Sequence, residues 1–167
     1  MAIQAVAKQT SYLMSTEMQE ETIMDKITPA ERSYVMSRIK GKDTRPERII
    51  RSLVYHAGFR YRICDARLPG KPDLVFWGKR KAIFVHGCFW HCHDGCRRAR
   101  LPKSNQEYWA AKLEKNKVRD SLNLSKLCEM GWQTLVIWEC EIKEKEIVYL
   151  LEKLKIFLDK DAETKSF

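Results

Sequence analysis

The stretch Leu74-Val-Phe-Trp-Gly-Lys-Arg-Lys-Ala-Ile-Phe-Val-His86 decides the fold. It contains two apolar runs, residues 74–77 and 82–85, on either side of the polar segment 78–81. Two short apolar runs around a glycine-containing segment are typical of a β-hairpin. A third apolar run, Thr134-Leu-Val-Ile-Trp138, indicates another buried strand. The sequence therefore predicts a small sheet built around this hairpin.

A long helix is predicted between the hairpin and the third strand. It begins at the capping sequence Ser104-Asn-Gln-Glu107 and ends at Gly131. A right-handed connection through such a helix makes the strands before and after it parallel. Residues 59–63 alternate between apolar and basic side chains, which predicts one further, half-exposed strand.

Three other helices are expected on either side of this unit. Thr28-Pro-Ala-Glu31 begins a helix that ends near Gly41, and Thr44-Arg-Pro-Glu47 begins a second that ends at Gly58. The last helix is predicted from apolar residues that share one face: Ile147, Leu150, Leu151, Leu154, Phe157 and Leu158. A mixed sheet flanked by helices is an α/β fold.

Length and charge limit the function classes. A chain of 167 residues suggests one domain, which we assign to residues 26–167, with residues 1–25 as a flexible N-terminal arm. The net charge of +9 favours a polyanionic partner. No apolar run approaches the roughly 20 residues of a membrane span, and the first residues lack a signal sequence. We therefore expect a reducing, cytoplasmic location.

Residues 86–96 contain three of the six Cys and three of the four His in the chain. Thiolate and imidazole are the ligands that structural Zn²⁺ prefers, and four of them close a site. Cys88, His93 and Cys96 have suitable spacing, and Cys92 is an alternative to His93. Cys140 is the predicted fourth ligand, because parallel pairing of the strand before it would bring it close to the hairpin end.

Other interpretations of the cysteines remain open at this point. The thiols of the cluster could be buried and free, or two of them could form a disulfide. Cys64 and Cys128 have no metal-ligating neighbours in the sequence, so we interpret both as core residues.

An acidic centre is predicted at the mouth of the hairpin. Asp73 precedes the first strand, and His86 ends the strand that pairs with it. Nucleases often place a carboxylate there to bind Mg²⁺, which takes one or two protein carboxylates and leaves other positions to water and phosphate. Ordinary turn chemistry is the alternative explanation for a Pro-Asp pair before a strand.

Helical periodicity singles out Asp120. It falls, with Asn116, in the middle of the apolar stripe of the long helix, whose members are Trp109, Leu113, Leu124 and Leu127. A carboxylate facing the core requires a partner. The partner is either His91 or a local group, such as a salt-bridging side chain or a capped backbone amide.

Several motifs of rare residues follow one another at characteristic separations. They are Leu68-Pro-Gly-Lys-Pro-Asp73, Ile83-Phe-Val-His-Gly-Cys-Phe-Trp-His91, Tyr108-Trp109, Lys115-Asn116 with Arg119-Asp120, Gly131-Trp132, and Val136-Ile-Trp-Glu-Cys140. With these motifs, residues from about 30 to 145 resemble the very short patch repair (Vsr-type) DNA mismatch endonucleases.

The resemblance implies a fold related to the PD-(D/E)XK nucleases, with a structural zinc. It implies Mg²⁺-dependent nicking of double-stranded DNA beside the T of a T·G mismatch, the product of 5-methylcytosine deamination. It also implies a bacterial cytoplasmic, nucleoid-associated location and a possible MutL-type partner.

Site residues follow from the same resemblance. Asp73 would bind Mg²⁺ directly, and Val85 would contribute only its backbone carbonyl, since Val85-His86 stands where a general PD-(D/E)XK enzyme has an acid and a lysine. His86 and Glu47 would act near the metal through water, although capping of the second helix explains Glu47 equally well. His91 and Asp120 would form the general acid/base couple.

The remaining implied residues bind zinc or DNA. The zinc ligands would be Cys88, His93, Cys96 and Cys140, but the loop 92–96 is one residue longer than is usual in the family, so the choice between His93 and Cys92 stays open. The DNA-contacting residues would be the aromatic wedge Phe89 and Trp90, the apolar pair Met36 and Ile39, and the basic pair Arg97 and Arg98.

Two rival functions remain. One is a restriction-like or homing-type nuclease with the same fold and a different target. The other is a zinc-stabilised DNA-binding module without catalysis. Both keep the basic surface and the Cys/His cluster, so only a cleavage experiment separates them from a mismatch-specific nicking enzyme.

Overall fold

The structure of the protein is a computed structural model, and it describes residues 28, 34, 38 and 41–159. The helices are α1 (Arg45–His56), α2 (Gln106–Glu129) and α3 (Ile147–Asp159), and the strands are β1 (Leu74–Phe76), β2 (Lys81–His86) and β3 (Gln133–Trp138). The predicted arm, most of the predicted first helix, Met36 and Ile39 lie outside the described residues.

The three strands form one mixed sheet in the order β1-β2-β3. β1 and β2 are antiparallel, with Leu74 opposite Ile83. β2 and β3 are parallel, with Ile83 opposite Leu135 and His86 opposite Trp138. The predicted hairpin and the predicted parallel pairing through a long helix are thus confirmed, and β2 is the central strand.

Residues 59–63 do not form the predicted strand. Arg62 makes a single antiparallel bridge to Val75, with backbone hydrogen bonds of 2.9 and 2.8 Å. The pairing stops there because Cys64 adopts a left-handed backbone conformation, with φ at 46°. A strand needs consecutive extended residues, so the alternating pattern alone is not enough.

The helix ends match the sequence signals at three points and differ at one. Thr44 caps α1 as predicted, and the last turns of α1 and α2 are followed by Gly58 and Gly131 with positive φ. The helix α2 begins one position later than the predicted capping sequence places it, after Asn105, which is left-handed and makes no side-chain capping hydrogen bond. An N-cap side chain reaches the first turn from an extended backbone, which Asn105 does not have.

Two apolar clusters cover the two faces of the sheet. Helices α1 and α3 pack on one face, together with Ile83 of β2. Leu127 of α2 and Trp132 pack on the other face, against Phe84. Because both faces are covered, β2 is almost wholly buried. Its last residue, His86, lies at one edge of the core.

Neither isolated cysteine is a core residue. Cys128 is exposed, because it lies one position beyond the buried Leu127 on α2 and so faces away from the sheet. Cys64 is half-buried. All six cysteines lie within the described residues and are free, so the disulfide alternative is also wrong. No helix of the described part is long and apolar enough to cross a membrane.

Candidate active site and metal centre

The carboxyl end of β2 opens into a cavity of about 1060 Å³. Its walls come from the start of α1 and the turn before it, the segment before β1, the end of β2, the loop that follows and one face of α2. The predicted site residues at this cavity are Glu47, Asp73, Val85, His86, His91 and Asp120. The structure thus brings every residue predicted for catalysis to one cavity.

His91 and Asp120 are in direct contact. The Nδ1 atom of His91 lies 2.5 Å from Oδ2 of Asp120. The rings of His91 and His86 stack with centroids 3.8 Å apart and planes inclined by 9°. The periodicity argument for α2 is therefore confirmed, since Asp120 faces inward and finds His91. The local alternative also holds in part, because the neighbouring Arg119 bonds the other carboxylate oxygen.

Asp73 is held by the hairpin itself. Its Oδ2 accepts the Val85 backbone N–H at 2.7 Å. Burial raises the pKa of Asp73 to about 6, with Val85 N–H opposing the shift and the nearby Glu47 adding to it. Burial and the neighbouring Glu47 both disfavour the ionised form of Asp73. A cation bound beside the carboxylate would stabilise that ionised form. The donor set therefore fits a hard divalent cation such as Mg²⁺.

Glu47 uses both carboxylate oxygens within α1 and the turn before it. One oxygen accepts the Thr44 hydroxyl at 2.8 Å. The other accepts Arg51 at 2.7 Å and the Asp43 backbone N–H at 3.0 Å. With only 6% of its surface exposed, Glu47 has the contacts of a capping residue, and it also lines the cavity. Arg51, which sequence reasoning missed, is its half-buried ion-pair partner.

Replacing His86 by Gln should remove an acid-sensitive contribution to the free energy of unfolding. Burial lowers the pKa of His86 to about 4, followed by the effect of His91, whereas an unfolded histidine titrates near ~6.5. As the pH falls below ~6.5, the unfolded chain takes up a proton that native His86 does not. Wild-type stability should therefore lose about 2 kcal/mol from this group between about pH 7 and pH 5.

Urea unfolding of the wild type and of His86→Gln at these two pH values measures the difference. His56→Gln is the control, since His56 is an exposed histidine on α1. The raised pKa of Asp73 means that its native carboxylate takes up a proton before the unfolded one does, so this group increases stability as the pH falls. The increase is the same in all three proteins and does not affect the comparison. Identical pH dependence in the wild type and His86→Gln would contradict the assignment of a buried, neutral His86.

A second cluster lies behind the cavity. The ligand atoms of four residues approach within 4.8 Å of one another: Cys88, His93, Cys96 and Cys140. His93 Nδ1 lies 3.6 Å from Cys88 Sγ and 3.3 Å from Cys140 Sγ. Cys140 arrives there because β3 runs parallel to β2, which places residues 86 and 138 side by side. Three thiols and one imidazole fit a tetrahedral Zn²⁺ site.

Cys92 is not part of this cluster. Its backbone is left-handed, with φ at 52°, and its thiol donates to the carbonyl of Leu113 at 3.6 Å on α2. His93 instead stacks on Trp138, with ring centroids 4.1 Å apart. Between the two candidates that the spacing allowed, the structure places His93 among the three thiols. Burial raises the pKa of Cys88 to about 12, so a thiolate at Cys88 needs a bound cation.

The proposed wedge residues belong to an aromatic group beside the cavity. Phe89 and Trp90 meet edge to face at 5.1 Å, and both contact Trp109, at 5.3 and 5.9 Å. Sequence reasoning placed Trp109 only in the core stripe, although the adjacent Tyr108-Trp109 pair was a signal for an aromatic group. Arg97 and Arg98 are exposed after the Cys/His loop, and Arg98 also lies 3.7 Å from Glu139.

Comparison with known proteins assigns the chain to a family. Residues 24–98 match the family model described as DNA mismatch endonuclease Vsr. The chain is 45% identical over 120 residues to the type II nicking enzyme V.XorIIP of Xanthomonas oryzae pv. oryzae, covering 72% of this chain and 88% of that protein.

Two further relatives are similar over comparable lengths. The type II nicking enzyme V.NmeAIP of Neisseria meningitidis serogroup A is 43% identical over 123 residues, covering 74% of this chain and 87% of that protein. The DNA mismatch endonuclease Vsr of Escherichia coli (strain K12) is 42% identical over 117 residues, covering 70% and 74%. The chain therefore belongs to the Vsr family of DNA mismatch endonucleases.

Proposed function

We propose that this protein nicks one strand of duplex DNA beside the T of a T·G mismatch, with Mg²⁺ as the catalytic ion. The observation that carries the proposal is the cavity in which Asp73 and the His91–Asp120 pair lie together. A carboxylate that can bind a metal and an imidazole oriented by a second carboxylate are the groups that phosphodiester hydrolysis requires. The mismatches in question arise when 5-methylcytosine deaminates.

Asp73 and the backbone carbonyl of Val85 would hold the Mg²⁺ ion. When bound, the ion would polarise the phosphodiester and offset the charge that develops on it. The hairpin supports this role because the Val85 N–H fixes the orientation of the Asp73 carboxylate. His86 and Glu47 would contribute through water, and the buried position of each restricts its movement.

His91 would accept the proton of the attacking water. Its Nδ1 is occupied by Asp120, so Nε2 is the ring nitrogen that remains to take a proton from the attacking water. Asp120 would stabilise the positive imidazolium that results. The stacked His86 ring keeps the imidazole of His91 in one plane, and the pair together would deliver the proton at a fixed place in the cavity.

The four-ligand cluster would hold structural zinc. Cys88, His93 and Cys96 lie in the loop after β2, and Cys140 follows β3. An ion at this position would join β2 and β3 just beyond their last pair and fix the loop that carries His91. Its function would be mechanical, since four protein ligands close the coordination shell.

DNA contacts would come from the surface around the cavity. Phe89 and Trp90 would insert beside the mismatch, where base pairing is weakest, and Arg97 and Arg98 would contact phosphates. The net charge of +9 favours such contacts. Met36 and Ile39, outside the described residues, remain proposed DNA contacts by resemblance, and a MutL-type repair protein remains a proposed partner.

One experiment tests the function. Duplexes of identical sequence, with either a T·G or a matched pair, are labelled on each strand and incubated with the protein in Mg²⁺ or in EDTA. We expect a single nick in the T-containing strand of the mismatched duplex, only with Mg²⁺. Equal cleavage of matched DNA would favour the restriction-like nuclease, and no cleavage of any duplex would favour the DNA-binding module.

Replacing Trp90 by Ala should reduce mismatch discrimination. The aromatic ring inserts most easily at a weak base pair, whereas Lys and Arg contacts are blind to sequence. We expect affinity for the T·G duplex to fall about 10-fold or more, with a much smaller loss on matched DNA. Competition binding with the two duplexes measures both, and Tyr149→Ala, an exposed aromatic on α3, is the control. Equal losses on the two duplexes would make Trp90 a packing residue only.

A further inference from the structure

The carboxylate of Asp120 is shared between two side chains. Its Oδ2 lies 2.5 Å from His91 Nδ1, while its Oδ1 accepts hydrogen bonds from Arg119 Nη2 at 3.1 Å and Nε at 3.3 Å. The Asp120 side chain is only 17% exposed. Each oxygen therefore has its own protein partner, a histidine on one side and an arginine on the other.

Arg119 differs from the other cations of the cavity. Among the residues that the structure describes, the Lys and Arg side chains lining the cavity are Lys42, Lys71 and Arg119. Within that set, Arg119 is the cation that bonds to a proposed reacting group. Its side chain remains 57% exposed, since position 119 lies about 100° around α2 from the inward-facing position 120. Arg119 thus reaches from the rim of the cavity to a partly buried carboxylate.

The consequence for His91 is geometric. A carboxylate rotates broadly about its terminal bond, and each rotation changes the direction in which Oδ2 can accept a proton. Two N–H groups on Oδ1 restrict that rotation and leave Oδ2 directed at Nδ1 of His91. A guanidinium is well suited to this because its donors form a rigid planar fork, which an ammonium group lacks.

We propose that Arg119 is a positioning residue for the nicking reaction, which fixes the Asp120 carboxylate and, through it, the His91 imidazole. This inference rests on the function proposed above for His91 and Asp120. Because Arg119 acts on the orientation of the proton-transferring group, its loss slows the chemical step more than it weakens DNA binding.

The test compares Arg119→Gln, Arg119→Lys and Lys126→Gln. Lys126 is an exposed cation two turns further along the same helix, outside the cavity, so its variant controls for the loss of one positive charge. Single-turnover nicking as a function of duplex concentration separates the maximal rate from the half-saturating concentration. We expect Arg119→Gln to lower the maximal rate about 10- to 100-fold, Arg119→Lys to recover part of it, and Lys126→Gln to stay within about 2-fold of the wild type.

A second pair of variants tests whether the effect passes through Asp120. In an Asp120→Asn background, adding Arg119→Gln should change the maximal rate by less than about 3-fold, because the group that Arg119 positions has already been altered. The same 10- to 100-fold loss in that background would overturn the proposal. A change confined to the half-saturating concentration would also overturn it, since Arg119 would then be a simple phosphate contact.

The rates are measured on whichever duplex the wild type nicks fastest, matched or mismatched. A failure of T·G preference would therefore overturn the proposed specificity while the role of Arg119 is still measured. Conversely, a wild-type rate in Arg119→Gln would remove Arg119 from the mechanism and leave the proposed function standing. Thermal melting of each variant checks folding, which the exposure of Arg119 predicts to be unaffected.

Discussion

Asp73→Asn should lower the nicking rate by about 10³-fold or more while duplex binding persists or becomes tighter. The substitution keeps the size of the side chain, and the amide oxygen of Asn can still accept the Val85 N–H. What disappears is the negative charge that would bind Mg²⁺. Removing a negative charge next to DNA phosphates also reduces repulsion, so affinity for the duplex should not fall. Single-turnover nicking and gel-shift titration measure the two effects separately.

Asp159→Asn is the matched control for this experiment, since it removes one carboxylate from the exposed end of α3. It should leave both nicking and binding unchanged. Calorimetric titration with Mg²⁺ should show loss of divalent-cation binding in Asp73→Asn and not in Asp159→Asn. Nicking at near the wild-type rate by Asp73→Asn would mean that the reaction takes place away from this cavity.

Features set by local periodicity were predictable from the sequence. The two apolar runs around residues 78–81 determine β1 and β2, and the period of α2 placed Asp120 on the same face as Leu113 and Leu127. That inward position required a partner for a carboxylate, and His91 supplies it. In these cases a few neighbouring residues contain the whole signal, and tertiary packing reinforces it.

Features set by left-handed backbone were not predictable. Cys64 ends the pairing of residues 59–63 after one bridge, and the left-handed Asn105 moves the start of α2 one position beyond the predicted N-cap Ser104. Non-glycine residues with positive φ are uncommon, and long-range contacts rather than local preference select them. The same reason explains Cys92, whose left-handed backbone turns its thiol to α2 and leaves His93 facing the other thiols.

The proposed zinc ligands divide along the same line. Cys140 could be predicted, because strand pairing fixes which residues lie side by side at the end of a parallel sheet. The choice between Cys92 and His93 depends on how the loop folds, and the spacing allowed both. Arg51, the partner of Glu47, was missed because arginines are common in a chain with this charge, and Arg119 was quoted in a motif without being named as the salt-bridging partner of Asp120.

Cys140→Ala should lose both the metal and much of the folded structure. If the four-ligand cluster holds zinc, Cys140 is the ligand that connects β3 to the loop after β2. Its removal leaves three ligands on the loop after β2, with no metal link to β3. Structural Zn²⁺ sites contribute on the order of 10 kcal/mol to folding, so we expect a much lower melting temperature and zinc near zero per chain.

Three further variants make the assignment specific. Cys128→Ala removes an exposed thiol outside the cluster and should keep zinc at about one per chain. His93→Ala should lose zinc as Cys140→Ala does, whereas Cys92→Ala should keep it, since the Cys92 thiol bonds to Leu113. Metal analysis of the purified proteins, with melting in the presence and absence of a chelator, measures these outcomes. Unchanged zinc in Cys140→Ala would remove Cys140 from the site, because a fourth protein ligand would then have to come from elsewhere in the chain.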